Sequence, residues 1–192
     1  VVGRRIRVSS SSQGDFVVAL GAVPVRTAFA KIMEALASDA LDCAITGASS
    51  GNTLGLHAAT SHLHSMPVTW GMAMFGANSA AWNALPVELK ALLRTELPRL
   101  EARIWRDAEQ ETVRGIDCSR GVSTCATAMP VRGRMVVVPM SLPDERLRDE
   151  IFRTTVLPRW LQRCGAECAP LWRDTIGAAR GIALPGAAPV LP

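Results

Sequence analysis

Residues 3–47 hold the pattern that most constrains how this chain can fold. Two short apolar segments, GRRIRV at 3–8 and LDCAITG at 41–47, flank LGAVPVRTAFAKIMEAL at 20–36, and a turn signal lies at each junction. The apolar residues of the middle segment recur at helical spacing, namely Phe29, Ile32, Met33 and Leu36. A strand, a helix and a second strand in this order predict an α/β domain with a small-molecule site at the carboxyl ends of its strands.

Turn and capping signals divide the first 76 residues into short elements. Alternation predicts a strand over 1–8, and SSSSQGD at 9–15 is a loop or a helix start for residues 16–20. The predicted elements that follow are a strand at 22–25, a helix at 27–40, a strand at 41–46, a helix from 54 to 64 and a strand at 67–76. The first half is therefore predicted to alternate strands with helices, as α/β domains do.

The second half of the chain is predicted to be mainly helical. Asn78 begins a short helical turn that ends at Trp82, and a long helix over 86–115 contains an interior proline, Pro98, that we expect to kink it. The predicted elements that follow are a loop at 118–134, a strand at 135–138 and helices at 143–164 and 172–180. The Pro-, Ala- and Gly-rich residues 183–192 are predicted to be disordered.

Composition indicates a soluble globular protein. The 192 residues are 48% hydrophobic and 20% charged, and no apolar run approaches the roughly 20 residues that a membrane span needs. The net charge of +4 comes from 21 basic and 17 acidic residues, and the basic residues, almost all of them arginine, are scattered among acids. Because the basic residues form no stripe, we expect no nucleic-acid partner.

The five cysteines include two closely spaced pairs. Cys118 with Cys125, and Cys164 with Cys168, can each close a short disulfide loop, which is compatible with an oxidising compartment such as the periplasm. Neither spacing is a zinc-binding pattern, and Cys43 stands alone. The first residues already alternate as a strand, so we expect no signal peptide in this chain.

Polar and aromatic residues near the strand ends are candidates for a binding site. Arg7 can hold a carboxylate through two charge-assisted hydrogen bonds, or it can be a surface arginine on an edge strand. Ser10 and its serine neighbours can donate to an anion, or they can cap the next helix. Thr46 follows a buried strand and can face the cleft or simply end that strand. Phe29 and Trp70 can form a platform for the ligand or belong to the core.

Signals for catalysis and for a bound metal are absent from the sequence. His57, His62 and His64 match no familiar metal-site spacing, and no nearby acid or cysteine completes four ligands. The sequence contains no GxSxG nucleophile elbow and no Gly-rich phosphate loop. We therefore expect a binding protein with no metal, no cofactor and no enzymatic activity.

The segments quoted above, together with ANSAAWNALPVELKALLRTEL at 77–97, follow a recognisable order and spacing. The sequence resembles the DctP-type family, the periplasmic substrate-binding proteins of tripartite ATP-independent periplasmic (TRAP) transporters. The resemblance implies an α/β fold of the periplasmic binding protein type II-like class, with a second lobe and a long hinge-spanning helix, and with the first lobe largely missing. It assigns residues 1–70 and 135–182 to the second lobe. Residues 71–134 become a crossing strand, long helix and loop shared with the first lobe.

The resemblance also implies a function and a set of site residues. The family captures a small organic acid (carboxylate) in the periplasm, and the permease subunits of the transporter then carry it across the membrane. The carboxylate-binding arginine of the family falls on Arg7, and the polar residue after that strand falls near Ser10. The family's helix phenylalanine falls on Phe29, whereas Thr46 replaces its asparagine. Trp70 is a further residue expected to line the site.

Two alternatives to transport stay open at the level of the sequence. The chain can be a periplasmic ligand-sensing module, because the same residues would bind a ligand that is reported to a signalling partner. It can also be a non-functional truncated remnant, because the opening strands of the first lobe have no counterpart here. The long helix is in addition a possible homodimer surface.

Overall fold

Two small parallel sheets and a set of surrounding helices make up the part of the chain that the computed structural model describes, residues 1–71, 74–122, 125 and 133–184. The predicted disordered tail at 183–192 lies outside these residues, apart from its first two positions. Much of the predicted loop at 118–134 also lies outside them. None of the described helices is both long enough and apolar enough to span a bilayer.

The first sheet has three parallel strands in the order β2, β1, β3. The strands are β1 (Arg5–Val8), β2 (Val23–Arg26) and β3 (Cys43–Ala44). Ile6 of β1 lies opposite Pro24 on one side and opposite Cys43 on the other, so β1 is the central strand. Pro24 lies on an outer strand, where a missing amide hydrogen is tolerated. Residues 6–8 are all buried, so the alternation in the sequence does not mark a solvent-facing side.

Four short helices follow these strands: α1 (Ser11–Ala19), α2 (Ile32–Ala37), α3 (Ala48–Leu54) and α4 (Leu56–Ala59). α1 packs on the sheet through Val17, which shares a buried cluster with Ile6 and Val8. The helix predicted at 27–40 is observed only as a 3-10 turn at Phe29–Lys31 followed by α2. Asp39 adopts a left-handed conformation with a φ of 56°, which an α-helix cannot continue.

The helix predicted from 54 to 64 is correct for Leu56–Ala59 and wrong beyond them. Gly55 has a φ of 89° and ends α3, and α4 then stops after four residues. His62–His64 forms a strand, β4, instead of the last helical turn. This strand pairs in parallel with β5 (Val136–Val138) to make the second sheet.

The strand predicted at 67–76 is also wrong for the residues that are described. Residues 67–71 and 74–76 have no regular secondary structure. The prediction rested on an apolar, β-leaning composition, but Met74 and Phe75 are exposed instead of packing on a neighbouring strand. Composition without a partner strand is not enough to form a sheet.

Asn78 begins a helix, as predicted. Its Oδ1 accepts hydrogen bonds from two amides in the first turn of α5 (Ser79–Ala84), at 2.9 and 3.2 Å. The long helix, α6 (Val87–Arg120), extends beyond the predicted 86–115 because Gly121, not Gly115, ends it. The kink at Pro98 stays a prediction.

Among the residues of α6 whose burial is described, the buried ones lie at its carboxyl-terminal end. α6 crosses α3 at Gly115, where a Cβ atom would lie 2.3 Å from the backbone nitrogen of Ser49. A disulfide bond joins Cys118 near the end of the helix to Cys125. The amino-terminal two thirds of α6 expose much of the predicted apolar stripe, including Leu89, Leu92, Leu97, Ile104 and Trp105.

The carboxyl-terminal region is helical, as predicted at 143–164 and 172–180, but each helix is interrupted. The segments are α7 (Leu142–Ile151), α8 (Leu157–Cys164), α9 (Cys168–Trp172) and α10 (Ala178–Arg180), with π-helical turns at Phe152–Val156 and Arg173–Gly177. The first π turn ends two residues before Pro158, which has no amide hydrogen to continue an α-helical ladder. A disulfide bond between Cys164 and Cys168 joins α8 to α9.

The carboxyl-terminal helices are anchored on α1. Asp15 of α1 is buried and accepts a hydrogen bond from Arg159 Nη1 at 3.2 Å, while Arg163 Nη2 lies 2.7 Å from its other oxygen. Phe16 packs in one buried cluster with Ile151. The carboxyl-terminal helices α7 and α8 therefore hold α1, the helix that follows the central strand, in its position.

Candidate functional site

Arg7 lies at the carboxyl end of the central strand, where the sequence predicts a site. Only 6% of the residue is exposed. Its Nε donates to the carbonyl of Thr27 at 3.0 Å, and its Nη1 donates to the carbonyl of Ile45 at 2.8 Å. Because Thr27 directly follows β2 and Ile45 directly follows β3, the guanidinium group spans the carboxyl ends of all three strands.

The charge of Arg7 is not neutralised within the described residues. Its pKa is lowered by burial, and no acidic group offsets that shift. The guanidinium nevertheless stays protonated, since arginine is not deprotonated in proteins. Two of its five N–H groups are used by the carbonyls of Thr27 and Ile45, and Nη2 donates to no described residue. Arg7 is therefore a cation that is held by two hydrogen bonds and keeps N–H groups for a further partner.

Arg5 has a different role, although it is only two residues away. Its Nε and Nη2 donate to the carboxylate of Asp42 at 3.0 and 2.9 Å, and its backbone amide donates to the same group at 2.7 Å. Its Nη1 donates to the carbonyl of Asp39. The side-chain hydrogen bond from Arg5, followed by the backbone one, lowers the pKa of Asp42 well below its usual range. Since Asp42 immediately precedes β3, this pair joins the amino ends of two strands and is structural.

Ser10 caps α1, which is one of the two roles that the sequence left open. Its Oγ accepts a hydrogen bond from the backbone amide of Gln13 at 3.2 Å. The side chain of Gln13 folds back over the same turn, where its Oε1 accepts from the amide and from the hydroxyl of Ser9 at 2.7 and 3.0 Å. Because a hydroxyl both accepts and donates, the cap leaves the hydroxyl hydrogen of Ser10 free to donate.

Thr46 and Phe29 lie just beyond the strands that flank Arg7. Thr46 follows β3, and its methyl group faces α3, since a Cβ atom on Gly51 would lie 3.1 Å from Thr46 Cγ2. Phe29 begins the 3-10 turn after β2 and is 43% exposed, so it is not a core residue. Both residues belong to segments whose carbonyls hold Arg7, because Thr27 and Ile45 precede them by two residues and one residue.

Trp70 is 79% exposed and therefore does not belong to the core. The residue before it, Thr69, accepts a hydrogen bond at 3.0 Å from Nε2 of Gln13, in the first turn of α1. The neighbour of Trp70 in the sequence is thereby hydrogen-bonded to α1, the helix that follows β1. Gln13 was missed by the sequence analysis, because its only signal is a place within the serine-rich segment.

The three histidines do not come together as a metal site. His62 Nδ1 lies 2.9 Å from the hydroxyl of Ser61, and His64 Nε2 lies 3.6 Å from Asp144. Among the described residues, no group of three His, Cys, Asp or Glu side chains is placed to hold a metal ion. The chemistry that the arrangement offers is the binding of an anion by Arg7.

A parallel sheet with a charged group at the carboxyl end of its central strand has the arrangement at which open α/β domains commonly bind ligands. The chain belongs to the DctP family, described as bacterial extracellular solute-binding protein, family 7, whose model matches residues 2–117. The family predicted from the four quoted segments is therefore confirmed. No match was found among curated proteins.

Solved structures of TRAP periplasmic solute-binding proteins have the same fold. The receptor from Desulfovibrio salexigens with bound orotic acid is 16% identical, with a TM-score of 0.72 over 95% of this chain and 55% of that one. DctP7 of Bordetella pertussis, an extracytoplasmic solute receptor binding pyroglutamic acid, is 19% identical, with a TM-score of 0.67 over 86% and 51%. A receptor from Sulfitobacter with bound β-D-galacturonate is 13% identical, with a TM-score of 0.64 over 94% and 54%. The predicted fold class is confirmed, and the chain spans about half the length of these receptors.

Proposed function

We propose that the chain supplies the carboxylate-binding wall of a TRAP-type solute receptor, with Arg7 as the residue that binds the acid group. The observation that carries this proposal is a nearly buried guanidinium that has backbone carbonyls as partners and no counter-ion among the described residues. Burying an unpaired charge is costly, and a folded protein normally compensates it. An incoming carboxylate provides the missing negative charge and accepts from the unused N–H groups.

The other residues of the proposed site would contact the rest of the ligand. Ser10 retains a hydroxyl hydrogen that can donate to the ligand, and Thr46 offers a short hydroxyl where the related receptors usually have an amide. The exposed rings of Phe29 and Trp70 provide apolar surface for the body of the acid. A small organic acid with one carboxylate and a compact ring or chain fits this set of groups. The solved relatives with bound orotic acid, pyroglutamic acid and galacturonate support that ligand class.

The proposed role is the capture of this acid in the periplasm for transfer to membrane permease subunits, without catalysis. Membership of a family of extracellular solute-binding proteins supports it. We further propose that residues 1–70 and 135–182 form one lobe, with 71–134 shared with a second one. The anchoring of Arg159 and Arg163 on Asp15 supports the first part of that division.

A thermal-shift screen tests the proposal directly. The purified chain is melted alone and with orotate, pyroglutamate or galacturonate, and an acid present at 100 times its dissociation constant stabilises the fold by about 2.7 kcal/mol. For a chain of this length, that corresponds to a rise in Tm of about 5 to 10 °C. Arg7→Ala should abolish the rise, and Arg7→Lys should reduce it, because an ammonium lacks the planar fork of donors.

The matched control is Arg146→Ala, which removes one positive charge from an exposed position on α7. We expect it to keep the full thermal shift. A shift that survives in Arg7→Ala, or that disappears equally in Arg146→Ala, would contradict the assignment of Arg7. Circular dichroism of each variant checks that the fold is retained before the shift is interpreted.

A further inference from the structure

Gln13 is a buried polar side chain whose bonds join two segments that lie far apart in the sequence. Only 5% of the residue is exposed. Its Oε1 accepts from the amide and the hydroxyl of Ser9 at 2.7 and 3.0 Å, and its Nε2 donates to Thr69 Oγ1 at 3.0 Å. The acceptor end of the amide therefore holds the turn after β1, and the donor end holds the segment before Trp70.

The apolar contacts of α1 reinforce this link. Phe16, one turn after Gln13, belongs to a buried cluster against which Met66 and Val68 pack. The irregular segment at 65–71 is anchored at its start by Ser65, whose amide donates to the carbonyl of Val138 at 3.0 Å. Further along, it rests on α1 through Met66 and Val68 and through the hydrogen bond from Gln13 to Thr69. A buried amide satisfied at both ends specifies a single arrangement, because any shift leaves a buried polar group without a partner.

We propose that Gln13 is a positioning residue that fixes the β1–α1 turn and the Thr69–Trp70 segment as one unit. The turn carries Ser10, and the segment carries Trp70, so the separation of these two proposed site residues depends on the amide of Gln13. The consequence for ligand affinity rests on the proposed function, whereas the coupling of the two segments does not. Gln13 itself need not touch the ligand.

Two variants remove the link in different ways. Gln13→Met has a similar length and no hydrogen-bonding amide, so it releases both segments. Thr69→Val deletes only the hydroxyl that accepts from Nε2, so it releases the Trp70 segment and leaves the bonds to Ser9 intact. The matched control is Gln162→Met, which makes the same chemical change at an exposed position on α8.

Hydrogen exchange of the ligand-free protein tests the coupling. In Gln13→Met we expect the amides of Ser9, Met66 and residues 68–71 to exchange about tenfold faster, as the loss of a buried hydrogen bond implies. Thr69→Val should accelerate residues 66–71 alone, and Gln162→Met should change neither. Unchanged exchange at residues 66–71 in both Gln13→Met and Thr69→Val would overturn the proposal.

Calorimetric titration with orotate, pyroglutamate and galacturonate tests the consequence for binding. An acid that binds the wild type should bind Gln13→Met and Thr69→Val about tenfold more weakly, with Gln162→Met unaffected. Lower melting temperatures with unchanged affinity would show that Gln13 is only structural and would overturn its positioning role. If none of these acids binds the wild type, the proposed function fails, and the exchange rates alone still decide the coupling.

Discussion

The crossing of α6 over α3 predicts opposite effects for two chemically identical substitutions. In Gly115→Ala the new Cβ would lie 2.3 Å from Ser49 N and 2.4 Å from the carbonyl carbon of Ala48. Both atoms belong to the backbone of another helix, so they cannot rotate away. The helices would have to separate by about 1 Å to reach ordinary contact distance, in an interior that is packed as densely as a crystal.

The net cost follows from two opposing terms. Alanine in place of glycine inside a helix gains about 1 kcal/mol from its higher helix propensity. Overpacking typically costs about 1 to 3 kcal/mol, and the rigid backbone neighbours place Gly115 at the upper end. Gly115→Ala should therefore destabilise the protein by about 2 kcal/mol, which lowers Tm by about 4 to 8 °C for a chain of this size.

Gly14→Ala is the matched control within α1. Its Cβ would lie 3.8 Å from Pro24 Cβ, an ordinary contact, so only the propensity gain remains. We expect a stabilisation of about 0.5 to 1 kcal/mol. Thermal and urea denaturation followed by circular dichroism measure both variants. If Gly115→Ala proved as stable as the wild type, the close approach of α6 to α3 would be refuted.

Three further predictions concern stability. Asp42→Asn should lower the free energy of unfolding at pH 7. The difference in that free energy between the variant and the wild type should shrink below about pH 4, because Asp42 has a lowered pKa in the folded protein and its contribution to stability falls as the pH drops. An equal difference in urea titrations at pH 7 and pH 3 would contradict this. Replacing both Cys118 and Cys125 by alanine should cost about 2.5 kcal/mol in the same assay, from the entropy of the short loop that they close; an unchanged urea midpoint would argue against that bond. Asp15→Asn should lower the free energy of unfolding by about 1 to 3 kcal/mol, because the carboxylate is buried between two arginines. Asp174→Asn removes an exposed ion pair and should lower it by less than about 1 kcal/mol. Equal losses would count against the anchoring of α8 on α1.

The α/β character of the first half could be predicted because its signals are local. The apolar residues of β1 and β2 are β-branched apart from Pro24, and Asn78 is an N-cap residue followed by an alanine-rich turn. The exposed Phe29 and Trp70 agree better with a lining role than with a core role, although sequence composition favours burial for both. The location of Arg7 followed from strand order, since parallel strands place their carboxyl ends at one edge.

The failed predictions depended on information that is not local. His62–His64 forms a strand because it pairs with Val136–Val138, more than 70 positions further along the chain. Gly55 ends the preceding helix because it adopts a positive φ. Glycine can adopt this conformation but does not have to, so its presence in the sequence does not predict the helix end. Gln13 was missed because its partner Thr69 is 56 residues away, and no periodicity records a hydrogen bond between them.

The most direct test of the central claim compares an acid with its neutral amide. Orotate, pyroglutamate and galacturonate are each titrated calorimetrically against the corresponding primary amide, with the wild type and with Arg7→Lys. If Arg7 binds a carboxylate, the wild type should bind an acid at least about tenfold more tightly than its amide, because a charge-assisted bond is roughly twice as strong as a neutral one. Arg7→Lys should lose most of that preference. Equal binding of acid and amide by the wild type would contradict the account.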